Sequence, residues 1–105
     1  MNKRTARILA IITADTETQE RVCGREEPTA TATAWAETDL EVNQIREYID
    51  GDCFESDAAL ALHTFGISPA EAARRVDSHE TIGYRVSDRE ISASEAVYLL
   101  LPSGF

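Results

Sequence analysis

The side chains with the greatest capacity for chemistry are carboxylates concentrated in one stretch of the chain. Residues 37–57 hold eight of them and one cation, Arg46, so this stretch has a formal charge of −7, out of −9 for all 105 residues. Charges of one sign repel each other, and their most direct use is to attract a basic surface. The eight acids are Glu37, Asp39, Glu41, Glu47, Asp50, Asp52, Glu55 and Asp57.

Two other sets of residues have metal-ligand chemistry, but neither has the spacing of a known metal site. Residues 50–55 begin Asp-Gly-Asp, as calcium loops do, yet Phe54 stands where an oxygen ligand is needed and Ala61 where the bidentate glutamate belongs. The potential zinc ligands lie ten or more residues apart, at Cys23, Cys53, His63 and His79. We therefore predict no metal and no cofactor.

The remaining motifs point away from catalysis and from membranes. The chain has no glycine-rich phosphate loop and no cysteine next to a histidine in sequence, so we predict a non-enzymatic protein. Its two cysteines form no CxxC pair, which favours free thiols in a cytoplasmic protein. No apolar run approaches the roughly 18 residues that a membrane span requires. The sequence also predicts no secretory signal.

One segment has a DNA-binding resemblance. Residues 68–86 comprise a capped Glu-Ala-Ala-Arg helix, a serine in a turn, and then Thr-Ile followed by an arginine. This segment resembles the helix-turn-helix of excisionase-like and MerR-like proteins and covers about nineteen residues. The resemblance implies that Thr81 and Arg85 face the DNA groove, while Arg74, Arg75 and Arg89 contact phosphates.

The elements that must position these residues are predicted from hydrophobic periodicity. Residues 8–12 are all apolar and indicate a buried strand, although periodicity alone also allows a short helix. Residues 29–35 alternate threonine and alanine up to Trp35, which indicates a second strand or, alternatively, a low-complexity linker. We expect these two segments to pair as a small N-terminal antiparallel β-ribbon or sheet, and residues 15–27 to form a loop.

Four helices are predicted after this ribbon. The first begins at a Thr38–Glu41 capping box and ends at about Ile49. The second spans residues 56–66, the third opens at Ser68-Pro69 with Glu71, and the last opens at Ser92 with Glu95 and ends before Pro102. Residues 81–91 favour a short strand or hairpin, because Ile82, Tyr84 and Val86 alternate and a helix would hold Gly83 internally. The predicted fold is a single compact α+β domain spanning residues 1–105.

These observations support one leading functional hypothesis. A small acidic helix and loop would bind a basic protein, most concretely as an inhibitor of a nucleic-acid-handling complex by nucleic-acid mimicry, as phage anti-CRISPR and anti-restriction proteins do. The predicted contact acids are Glu37, Asp39, Glu47, Asp50, Asp52 and Glu55. The alternative is a helix-turn-helix transcriptional regulator acting through Arg74, Arg75, Thr81 and Arg85. A third possibility is a structural or oligomerising domain whose acidity serves solubility alone.

Overall fold

The computed structural model describes residues 1–101, and this part of the chain contains eight helices and no strand. The predicted α+β class, with an N-terminal β-ribbon and a strand or hairpin near residues 81–91, is therefore wrong. The helices are α1 (Lys3–Ile12), α2 (Thr16–Cys23), α3 (Pro28–Ala36), α4 (Val42–Asp50), α5 (Ser56–Thr64), α6 (Pro69–Ala72), α7 (Ile82–Ser87) and α8 (Ala93–Leu100).

Residues 8–12, the first predicted strand, form the second half of α1. The helix begins after Asn2, whose side chain accepts a hydrogen bond from the Thr5 backbone N–H at 2.7 Å. Its buried side chains are Thr5, Ile8 and Ile12, which are three and four residues apart and so share one helical face. The helical period becomes visible only when the turn before Ile8 is included.

The alternating threonine and alanine residues 29–35 form most of α3. Pro28 occupies the first helical position, where its missing N–H costs nothing. Thr31, Ala32 and Trp35 are buried while Thr33 is exposed, so burial follows the helical period and not the period of two. The alanines favour helix strongly, and the Thr33 hydroxyl donates back to the Thr29 carbonyl at 2.9 Å within the helix.

Residues 82–87, predicted as a strand, form α7. Thr81 caps this helix, and its Oγ1 accepts from the Tyr84 backbone N–H at 3.0 Å. Gly83 is tolerated inside the helix because a Cβ there would lie 3.1 Å from the Cβ of Cys53, tighter than packed side chains normally allow. Close packing thus offsets the low helix propensity of glycine.

The other predicted helices exist with changed boundaries. The capping boxes at Ser68 and Ser92 are confirmed, but α6 ends at Ala72, after a single turn. Residues 15–27 were predicted as a loop, yet α2 forms there because Asp15 caps it through the Thr18 backbone N–H at 2.7 Å.

The helices pack as an elongated body measuring 50 × 24 × 18 Å. α1 lies against α3 and α4, α5 lies against α7 and α8, and α4 packs on α6 to join the two groups. Trp35 of α3 and Tyr48 of α4 are the largest fully buried side chains. None of the helices described here combines the length and apolar character needed to cross a bilayer.

Candidate partner-binding surface

The acidic stretch begins on α3 and continues along the outer side of α4. Glu37 is the C-cap of α3, Asp39 lies in the connection to α4, and both side chains are exposed. Glu47 and Asp50 lie on α4 and are exposed as well. Within residues 1–101 none of these four carboxylates is within 4.0 Å of a cationic group. We call Glu37, Asp39, Glu47 and Asp50 the free acids.

α4 presents its acids outward because its inward side is fixed by a dense apolar contact. Ile45, Tyr48 and Ile49 are fully buried, and the Tyr48 hydroxyl donates to the Ile67 carbonyl. Glu47 and Asp50 lie on the solvent side of the same helix, three positions apart, so they are surface neighbours. The buried tyrosine therefore determines which way the acidic side of α4 faces.

The start of α4 differs from the predicted capping box. The N-cap is Glu41, not Thr38, and Gln44 completes the box by accepting from the Glu41 backbone N–H at 3.0 Å. The Thr38 hydroxyl instead donates to the Trp35 carbonyl at 2.7 Å and accepts from the Leu40 N–H. Thr38 thereby closes α3, and Leu40 is directed into the core.

Two of the six predicted contact acids are already paired within the chain. Asp52 forms ion pairs with Arg21 at 3.8 Å and with Arg75 at 4.0 Å. Glu55 pairs with Arg89 at 3.4 Å. We call Asp52 and Glu55 the paired acids; both lie in the connection between α4 and α5, which they join to residues distant in sequence.

Asp52 also has an unusual backbone conformation. Its φ is +69°, the left-handed region that favours glycine. The Asp52 N–H bonds to the Ile49 carbonyl, and the Cys53 N–H bonds to the Tyr48 carbonyl at 3.0 Å, so residues 48–53 end α4 with a Schellman motif. This left-handed turn directs the chain that follows α4, which carries the paired acids, back onto the core.

The core beneath the paired acids contains a buried thiol. Cys53 is fully buried, and its Sγ lies 3.4 Å from the Ser87 hydroxyl of α7. Burial raises the pKa of the Cys53 thiol to about 11 and that of Tyr48 to about 12, because the charged forms would lose their hydration. The thiol is therefore protonated at neutral pH, and as a polar core contact it links the connection between α4 and α5 to α7.

The predicted DNA-contacting residues have varied environments. Thr81 is buried and donates to the Gly51 carbonyl at 2.7 Å, so its hydroxyl is occupied within the fold. Arg85 has a side chain only 14% exposed, and it donates to the Val76 carbonyl and lies 3.5 Å from the Glu90 carboxylate. Arg74 and Arg75 are exposed. The connection between α6 and α7 spans residues 73–81.

The candidate zinc ligands are separated by the fold. Cys23 and Cys53 are both buried and unpaired, whereas His63 and His79 are exposed. In the portion of the chain that the structure describes, no three His, Cys, Asp or Glu side chains are arranged to hold a metal ion.

Sequence reasoning missed the ion pairs that divide the acids into two classes. Arg21 lies 31 residues before Asp52 and Arg75 lies 23 residues after it, so no local pattern connects them. The sequence holds only an indirect signal for these ion pairs. The arginines outside residues 37–57 must lie on the surface of a small acidic domain, where some of them meet carboxylates.

Comparisons with protein-family models, with curated proteins and with solved structures give no match to this chain. Its function is therefore argued from the surface itself.

Proposed function

We propose that this protein is a non-enzymatic binder that engages a basic partner through its free acids, Glu37, Asp39, Glu47 and Asp50. In its most concrete form it inhibits a nucleic-acid-handling complex by occupying a surface that binds phosphates. The supporting observation is that these four exposed carboxylates have no cation within ion-pair distance in residues 1–101, whereas Asp52 and Glu55 do.

The free acids suit this role because a rigid element presents them. Glu47 and Asp50 lie on α4, whose opposite side is fully buried, so the backbone that carries them is already ordered before binding. Complementary charge accelerates association and makes affinity strongly dependent on salt. The proposed set retains four of the six acids predicted from the sequence, because Asp52 and Glu55 already serve the fold.

The test begins with a tagged pull-down from a lysate of the source organism, with nuclease added to remove nucleic acid. Capture alone is not support, so the affinity of each retained protein is measured for wild type and for the variant E37Q/D39N/E47Q/D50N. We expect a loss of roughly 100-fold at low salt, taking about 0.7 kcal/mol for each of four exposed ion pairs.

A matched control shows whether the loss is specific to this surface. The variant E17Q/E20Q/E27Q/E80Q removes the same number of charges from exposed acids elsewhere, none of which forms an ion pair within residues 1–101. Equal losses of affinity in both variants would mean that binding depends on net charge and not on this surface. An unchanged affinity of the free-acid variant would refute the proposal.

The alternative, a DNA-binding regulator, is favoured by one observation: residues 82–87 are helical, as a recognition helix would be. It requires Arg74, Arg75, Thr81 and Arg85 to contact DNA, but Thr81 and Arg85 are engaged inside the fold. Under this hypothesis a sequence-selection assay with randomised duplex DNA yields a consensus site, and Arg85→Ala abolishes binding to that site while the fold survives. Without a consensus site, the alternative is excluded.

A further inference from the structure

A single buried hydroxyl joins the end of α4 to the start of α7. Thr81 is only 2% exposed, and its Oγ1 accepts a hydrogen bond from the Tyr84 backbone N–H at 3.0 Å while it donates to the Gly51 carbonyl at 2.7 Å. The first bond caps α7, and the second satisfies the carbonyl that directly follows α4. Gly51 is itself buried, so its carbonyl depends on this bond for a donor.

The residue held by Thr81 is adjacent to two of the four free acids. Asp50, the last residue of α4, directly precedes Gly51, and Glu47 lies one turn earlier. The backbone has little room here, because a Cβ on Gly51 would lie 3.1 Å from the Cβ of Ala73. The end of α4 is therefore held from outside the helix, by residues that follow α6.

Loss of the Thr81 hydroxyl would change the direction of this helix end. A buried carbonyl without a donor is costly, because it has given up its bond to water and gained none in return. The chain recovers a bond by turning the Gly51 carbonyl toward solvent, and this movement displaces the last turn of α4. Glu47 and Asp50 move with that turn.

We propose that Thr81 is a positioning residue for the free acids, acting through the Gly51 carbonyl. This inference rests on the proposed function and deepens it, because it makes the partner-binding side of α4 depend on α7, a helix that carries none of the free acids. Affinity for the basic partner should then respond to a side chain that is buried and out of the partner's reach.

The experiment compares Thr81→Val, which keeps the shape of the side chain without its hydroxyl, with Thr81→Ser, which keeps the hydroxyl. The matched control is Ser92→Ala, because Ser92 also caps a helix, α8, but its hydrogen bonds stay within residues 92–95. In the ¹⁵N-labelled full chain, Thr81→Val should shift the backbone amide signals of residues 47–52. Thr81→Ser and Ser92→Ala should leave those signals close to their wild-type positions.

Affinity is then measured for the partner retained after nuclease treatment. Thr81→Val should bind it about five- to tenfold more weakly, since two of the four free acids are displaced, while Thr81→Ser and Ser92→Ala bind as wild type does. Thr81→Ala gives the same test if the valine variant does not fold.

The inference is overturned if the folded variant without the hydroxyl binds as tightly as wild type, or if its amide signals at residues 47–52 do not move. An equal loss of affinity in Ser92→Ala would also overturn it, because the effect would then be general destabilisation. Failure of the proposed function itself appears elsewhere, as an unchanged affinity of the retained partner for E37Q/D39N/E47Q/D50N.

Discussion

The free acids and the paired acids belong to one continuous stretch of sequence, yet the structure uses them differently. Glu47 and Asp50 lie on the open side of α4, while Asp52, two residues later, is held between Arg21 and Arg75. The change occurs at the left-handed turn that ends α4. A run of like charges is therefore not one functional unit, because backbone direction decides which carboxylates reach solvent and which stabilise the fold.

The largest expected effect concerns the core beneath the paired acids. Because burial raises the pKa of Cys53 to about 11 from its ordinary value of 9.0, the stability gained from the neutral thiol is complete below pH 9 and is lost as pH rises to 11. The loss is on the order of 2 kcal/mol. Tyr48 adds to it between about pH 10 and 12, with the same sign.

Urea unfolding between pH 7 and 11 measures this loss. The variant Cys53→Ala should be less stable at pH 7 but should show a shallower decline above pH 9. A decline as steep as that of wild type would show that the thiol does not contribute.

The next prediction compares the stability of variants at Asp50 and Asp52, a free acid and a paired acid only two positions apart. Asp52→Asn removes the charge that Arg21 and Arg75 share, and with it two partly exposed ion pairs, so we expect a loss of about 1–1.5 kcal/mol. Asp50→Asn removes an unpaired charge from a self-repelling surface and should leave stability unchanged or slightly raised.

Thermal unfolding of the two variants should differ by about 5–10 °C in Tm, with Asp52→Asn the lower. Equal Tm values would remove the distinction between free and paired acids.

How much of this arrangement could be predicted from the sequence depends on distance along the chain. The capping boxes at Ser68 and Ser92 were predicted and are confirmed, because a cap depends on residues only three apart in sequence. The β-ribbon was wrong because residues 8–12 gave too short a window to show a helical period. In residues 29–35 alternation was mistaken for a strand, although alanine favours helix. Contacts such as Arg21–Asp52 depend on tertiary packing and had no local signal.

A smaller effect is expected at Arg89, the partner of Glu55. Its φ is +62°, it closes α7 in a left-handed turn, and its side chain is 82% exposed. Arg89→Gly relieves the backbone strain and loses only a solvent-exposed ion pair, so we expect a gain of about 1 kcal/mol in the free energy of unfolding. Urea unfolding measures it, and Arg89→Ala is the control that removes the side chain while keeping the strain. A loss in the glycine variant would show that the Glu55 ion pair outweighs the strain.

The smallest effect is the response of stability to salt. Screening should relieve repulsion among the free acids, so Tm should rise by a few degrees between 20 mM and 300 mM NaCl. The rise should be smaller in E37Q/D39N/E47Q/D50N, and differential scanning fluorimetry of both proteins measures it. The same rise in both proteins would mean that the free acids do not repel each other appreciably.

The most direct test of the central claim is the salt dependence of partner affinity for wild type and for E37Q/D39N/E47Q/D50N. The partner is the protein retained after nuclease treatment, and calorimetric Kd values are compared between 50 mM and 300 mM NaCl. We expect wild-type affinity to fall steeply with salt, and the variant to bind weakly with a much flatter dependence. Equal slopes and equal affinities would contradict the assignment of the free acids as the binding surface.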